Sequence, residues 1–135
     1  MKKVIDSALW LEYFANTPNA QEIAPYLEDI DNVLVPAHSI TELARTLMPQ
    51  IGEKETLRIL AHIQQATVIP MESPLALLAA RICFQNQLNF SEGMYLAVAE
   101  QENAKFYTFN PRLESIESVR LIRKKDDLKS FRLYR

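Results

Sequence analysis

Short β-rich runs alternate with longer helical ones along the whole chain, and that order restricts the fold more than any other feature. Val4-Ile5, Asn32 to Pro36 (NVLVP), Thr67 to Met71 (TVIPM), Lys105 to Phe109 (KFYTF) and Val119 to Ile122 (VRLI) are the strand candidates, most of them rich in β-branched or aromatic residues. Between them, Ser7 to Phe14, Pro18 to Asp29, Ser39 to Met48, Lys54 to Ala66, Pro74 to Gln87 and Ser91 to Asn103 show helical spacing or good helix formers. Strands joined through helical crossovers lie parallel, so the expected product is a three-layer α/β/α sandwich around a central, mainly parallel sheet of about five strands. No internal repeat, linker or low-complexity segment interrupts the alternation.

Composition removes several function classes. At 135 residues, 48% hydrophobic and 24% charged, the chain suits one ordinary globular domain with a real core. No apolar run is long enough to span a bilayer, and the chain opens on a short strand instead of an apolar signal core, so the expectation is a cytoplasmic protein without membrane association. Cys83 is the only cysteine, which excludes intrachain disulfides and CxxC zinc sites; within ARICF it reads as a small buried hydrophobe. With Gly52 and Gly93 as the only glycines, neither a dinucleotide-binding G-x-G-x-x-G nor a P-loop can be built. His38 and His62 are isolated, with no H-E-x-x-H, and read as surface or packing residues.

Charge is unevenly spread. Residues 120–135 carry seven Lys/Arg against Asp126 and Asp127, while the preceding 119 residues carry 8 basic and 15 acidic side chains. This divides the chain into a folded domain, residues 1–122, and a basic C-terminal tail, residues 123–135. Such a tail suits nucleic acid or an acidic partner, or serves only solubility.

In open α/β sheets, ligands bind beyond the carboxyl ends of the strands. Asp6 ends the first strand, Asn110 follows the KFYTF strand with Thr108 two residues before it, and Glu42 and Glu92 lie in the first turns of helices starting near Ser39 and Ser91. Each also has a plain structural reading. Ser39-Ile40-Thr41-Glu42 fits a capping box, Glu92 beside a Ser91 cap favours the helix dipole, Asp6 can cap the next helix, and Asn110-Pro111 starts turns readily. The stripe Ile40, Leu43, Leu47 turns Glu42 away from the core, as a rim ligand requires.

Taken in order, VIDSALWLEYF, SITELAR, SEGMYLAVAE and YTFN resemble the PIN-domain family, and particularly the VapC-type toxins of type II toxin–antitoxin pairs. The resemblance runs from about Val4 to Ile122. It implies a PIN-like sandwich and an Mg²⁺- or Mn²⁺-dependent endoribonuclease, with Asp6, Glu42 and Glu92 as metal ligands and Asn110 and Thr108 orienting water or substrate. It also implies a cognate antitoxin and a homodimer. The chain departs from the family pattern at Glu92, where Asp is commoner, at Gly93 directly after it, at the neutral Asn110, and at Arg112-Leu113, where an acid followed by Phe is usual. A catalytically degenerate PIN-like module that binds RNA or a protein without cleavage is the alternative. An unrelated flavodoxin-like regulator fits less well, since paired acids at the first strand end and a clear lysine partner are missing.

Pro74 to Leu88 is apolar on most sides and reads as a central helix or a subunit interface, and Trp10, Tyr13 and Phe14 read as core residues.

Overall fold

The computed structural model describes residues 1–125. Its strands are β1 (Lys3–Ile5), β2 (Val33–Pro36), β3 (Thr67–Ile69), β4 (Lys105–Thr108) and β5 (Val119–Leu121), hydrogen-bonded in the order β3-β2-β1-β4-β5. All four pairings are parallel; helical crossovers join the strands up to β4, and a loop with one 3-10 turn, Pro111–Leu113, joins β4 to β5. The crossovers are α1 (Ser7–Phe14) with α2 (Ala20–Glu28), then α3 (Ala37–Ile63), then α4 (Ser73–Asn86) with α5 (Phe90–Gln101). The chain builds outward from β1 to β3 on one side and returns to β4 and β5 on the other. That reversal opens a crevice above the carboxyl ends of β1 and β4.

Alternation along the strands fills both faces. Val4, Leu34 and Phe106 join a core with Leu75, Ala79 and Tyr95 of α4 and α5. Their neighbours Ile5, Val33, Val35 and Tyr107 point the other way, into a core with Leu9, Trp10, Ile23 and Leu43. Trp10 is buried as expected, whereas Tyr13 and Phe14 are only half-buried and pack at its margin, Phe14 stacked on the indole at 6.1 Å.

Two helices were expected between β2 and β3, and α3 is indeed broken. Gly52 sits at φ 84° and ψ 165°, outside the helical region and open to a residue without a Cβ. On α4, Leu75, Ala79 and Ile82 are buried while Leu77 and Phe84 are 69% and 86% exposed, leaving an apolar outer face. Gly93 has a packing reason. A Cβ there would lie 2.1 Å from Cys83 Sγ and 3.0 Å from the Ala79 carbonyl oxygen, so any larger residue would push α5 away from α4 or displace the Cys83 side chain. Cys83 itself is half-buried at this seam, not fully buried, and its thiol donates to the Asn89 carbonyl at 3.3 Å.

The basic segment begins against the fold. Lys124 pairs with Glu12 at 3.3 Å, Arg123 with Glu114 at 3.2 Å, and the Lys125 backbone N–H donates to Asn19 Oδ1 at 2.7 Å. The rest of the tail, residues 126–135, lies outside the described residues.

Candidate active site

β1 delivers Asp6 to the crevice on rigid, fully paired backbone: its own N–H donates to the Tyr107 carbonyl at 3.1 Å. Thr108, at the end of the adjacent β4, donates its hydroxyl to Asp6 Oδ2 at 2.7 Å, and Ala8 N–H approaches Oδ1 at 3.4 Å. Asp6 therefore caps α1, so the structural reading of this residue holds. Burial pushes its carboxyl above the ordinary 3.8. The Thr108 and Ala8 hydrogen bonds oppose that shift, and the charges of Glu42 and Glu92 add to it.

Glu42 is not in the capping box that its spacing suggested. Pro36 occupies the cap position of α3, and Ser39 turns back to donate to the Pro36 carbonyl at 2.7 Å. Glu42 is thereby released to the crevice, where it accepts from three hydroxyls: Tyr95 at 2.9 Å, Ser7 at 3.2 Å, and Ser91 through a short hydrogen bond. Tyr95 lies on the same face of α5 as Ser91, one turn on. Its oxygen also accepts from the Ser7 backbone N–H at 3.0 Å, and its ring stacks on Phe106 with centroids 4.7 Å apart. Burial, with the Asp6 and Glu42 charges, pushes the phenol well above its ordinary value, so it stays a proton donor to Glu42.

His38 completes this arm. The single Ser91 proton goes to Glu42, so the 3.2 Å contact between Ser91 Oγ and His38 Nε2 requires the imidazole to donate. The ring packs against Tyr95 at 4.5 Å, and burial lowers its pKa against the pull of Glu42. The sequence reading of His38 as packing is thus incomplete, and it passed over Ser7, Ser91 and Tyr95 as site residues. A tyrosine placed three and four residues after Glu92 and Ser91, in an otherwise small and apolar run, was the available signal.

Glu92 is held differently. Asn89, not Ser91, caps α5, and Glu92 closes a true capping box with it: Glu92 N–H to Asn89 Oδ1 at 2.9 Å and Asn89 N–H to Glu92 Oε1 at 3.2 Å. Asn110 Nδ2 donates to Glu92 Oε2 at 2.8 Å, and Arg112 reaches both Glu92 oxygens at 3.1 and 3.3 Å. Thr108 and Asn110 therefore orient the carboxylates of Asp6 and Glu92.

Asp6, Glu42, Glu92, Thr108 and Asn110 line one pocket of about 200 Å³, together with Ser7, Ser91 and Tyr95. Among the described residues, no three His, Cys, Asp or Glu side chains are drawn together as a ready metal cluster, because each carboxylate is turned to its own protein partners. The donor chemistry still fits a hard cation: Asp6 and Glu42 are acids whose partners are neutral, facing one pocket. A larger cavity of about 810 Å³ opens beside Lys2, Lys105 and Glu117, at the amino ends of β1 and β4, and contains none of these three acids.

The family model of the PIN domain matches residues 3–119. No match is found among curated protein sequences. Among solved structures, the fold is similar to a toxin–antitoxin complex from Klebsiella pneumoniae (TM-score 0.76, 14% identity, covering 88% of this chain and 96% of that one). It is also similar to VapC20 from Mycobacterium tuberculosis, described as a sarcin–ricin loop cleaving toxin (0.70, 14%, 86% and 95%). A third likeness is to VapBC2 from Rickettsia felis bound to a promoter DNA fragment (0.69, 12%, 90% and 98%). With its all-parallel sheet, its acids over the ends of β1 and β4, and a family match over nearly its whole described length, the chain belongs to the PIN-domain family.

Proposed function

We propose that this protein is a metal-dependent endoribonuclease acting in the cytoplasm, the toxin of a toxin–antitoxin pair. The observation that carries the reading is the pocket: carboxylates from the end of β1, from α3 and from α5 line it, and that of Asp6 is destabilised as an anion chiefly by burial, with the charges of the other two adding to it. A hard divalent cation relieves that repulsion. Asp6 and Glu42 would hold it. An Mg²⁺ or Mn²⁺ ion held there would supply Lewis-acid chemistry, making a water more acidic and offsetting charge on a phosphate.

The chain's own residues supply the positioning. Thr108 fixes the rotamer of Asp6, while Ser7, Ser91 and Tyr95 aim Glu42 and leave its charge intact. Three features support partners. The solved relatives include toxin–antitoxin complexes, which favours a cognate antitoxin. The exposed Leu77 and Phe84 of α4 suit a second copy of the chain, giving a homodimer. The basic tail, residues 123–135, suits the RNA backbone.

The test is cleavage of a mixed structured RNA by purified protein with Mg²⁺ or Mn²⁺, against EDTA and Asp6→Asn. Metal-dependent cleavage is expected, and it should fall by about 10²-fold or more in Asp6→Asn, since even groups that only support a metal's ligands are worth about 10–100-fold. The Arg112 contact to Glu92 favours a second reading, the degenerate RNA- or protein-binding module. RNA binding without cleavage, by folded protein freed of any partner, selects it.

A further inference from the structure

Resting on that reading of the pocket, we infer that Arg112 is a resident counter-ion that keeps Glu92 out of metal coordination and makes this a one-ion site. A single Arg112 nitrogen, Nη2, lies 3.1 Å from Glu92 Oε2 and 3.3 Å from Oε1, bridging both oxygens of a carboxylate that is itself only 13% exposed. The contact is built into the turn after β4. Asn110 Oδ1 accepts from the Arg112 backbone N–H at 3.0 Å, Pro111 fixes the backbone between them, and the same Asn110 side chain donates through Nδ2 to Glu92 at 2.8 Å. One asparagine thus orients both members of the ion pair.

The amide at 110 is essential to this arrangement. A carboxylate there could not donate to Glu92 and would repel it, so the neutral Asn110 and the basic Arg112 form one device. With the Asn89 N–H added, three donors make four contacts to Glu92, two on each of its oxygens.

Charge balance agrees. Three acids line the pocket, and Arg112 cancels one of them. The remaining two match a single divalent ion at Asp6 and Glu42. A second ion would leave the site strongly cationic unless Arg112 withdrew. Arg112 is two-thirds exposed, so withdrawal or removal is not resisted by packing.

The experiment is Mn²⁺ binding to the full, EDTA-stripped chain, with stoichiometry and affinity read by calorimetry and by loss of the free-ion spin-resonance signal. The proteins are wild type, Arg112→Ala, Asp6→Asn and the double variant Arg112→Ala/Glu92→Gln, each checked for folding by circular dichroism. The expected result is one ion in wild type, lost in Asp6→Asn. Arg112→Ala should gain a second ion or bind at least tenfold tighter, and the double variant should lose that gain. Two ions in wild type, or Arg112→Ala indistinguishable from wild type, overturns the assignment. One Asp6-dependent ion with the Arg112→Ala gain but no RNA cleavage by wild type overturns the nuclease reading and leaves the assignment standing. No ion in either wild type or Arg112→Ala overturns both.

Discussion

Glu42 and Glu92 line the same pocket, yet one is held by neutral hydroxyls and the other by a guanidinium and an amide. Both arrangements satisfy a half-buried carboxylate, but they leave it with different chemistry. Hydroxyls orient an acid without cancelling its charge, so Glu42 stays available to a cation. A guanidinium cancels it, so Glu92 behaves as part of the scaffold, tying the start of α5 to the turn after β4. Two acids that line one pocket are therefore not chemically equivalent.

The largest way to break this contrast is to disturb both arms at once. Ser91 serves Glu42, Glu92 meets Arg112, and Gly93 next to them sets how closely this turn of α5 approaches α4. Gly93→Ala drives a methyl into Cys83 Sγ and against the Ala79 carbonyl. Overpacking of that kind costs about 1–3 kcal/mol, and the backbone contact places this case toward the upper end. Chemical denaturation measures it. Adding Cys83→Ala removes the nearer clash and should restore part of the loss; no recovery would show that the Ala79 contact dominates.

Tyr95→Phe breaks the Glu42 arm alone. It strands the Ser7 N–H, which has donated to the phenol, and strips one of three hydroxyls from Glu42. The expected loss is about 1–2 kcal/mol of stability, for a buried donor left unpaired. Metal affinity should fall too, opposite in sign to the gain expected of Arg112→Ala. If both variants moved affinity the same way, the contrast between the two arms would be lost.

The scaffold was legible because period-two and helical patterns act locally. Val4 and Ile5 face opposite cores as alternation demands, and the pair of helices around Gly52 follows from a breaker between two periodic segments. The acids' place at one rim was legible as well, since residues just past strand ends and early in the following helices lie over the carboxyl edge of the sheet. Their partners were not. Whether Ser39 caps its own helix or turns back to Pro36 depends on where α3 starts, and a start at Ala37 instead of Ser39 separates a capping Glu42 from a free one. Asn89 in place of Ser91 as the cap of α5 is a similar displacement, by two residues, and it frees the Ser91 hydroxyl for Glu42. Arg112 stood out as a departure from the family pattern, but its meaning needed the turn that folds it onto Glu92, twenty residues upstream.

The smallest effect concerns Asp6, which both arms press upon. Its carboxyl is raised above 3.8 chiefly by burial, with Glu42 and Glu92 adding repulsion, so the folded protein holds the Asp6 proton to higher pH than the unfolded chain does. Asp6's contribution to stability is therefore fully present below the ordinary carboxyl range and is lost as pH rises through the raised folded value. Asparagine cannot ionise. In EDTA, Asp6→Asn should be more stable than wild type near about pH 7, and the difference should shrink as pH falls toward about 4, measured as paired thermal midpoints. Glu42→Gln removes one source of repulsion and should shrink the neutral-pH difference as well, while Arg112→Ala, which unmasks Glu92, should enlarge it. A difference that ignored both substitutions would mean that burial alone governs Asp6, and that the two glutamates are electrically silent neighbours of the residue they are placed to assist.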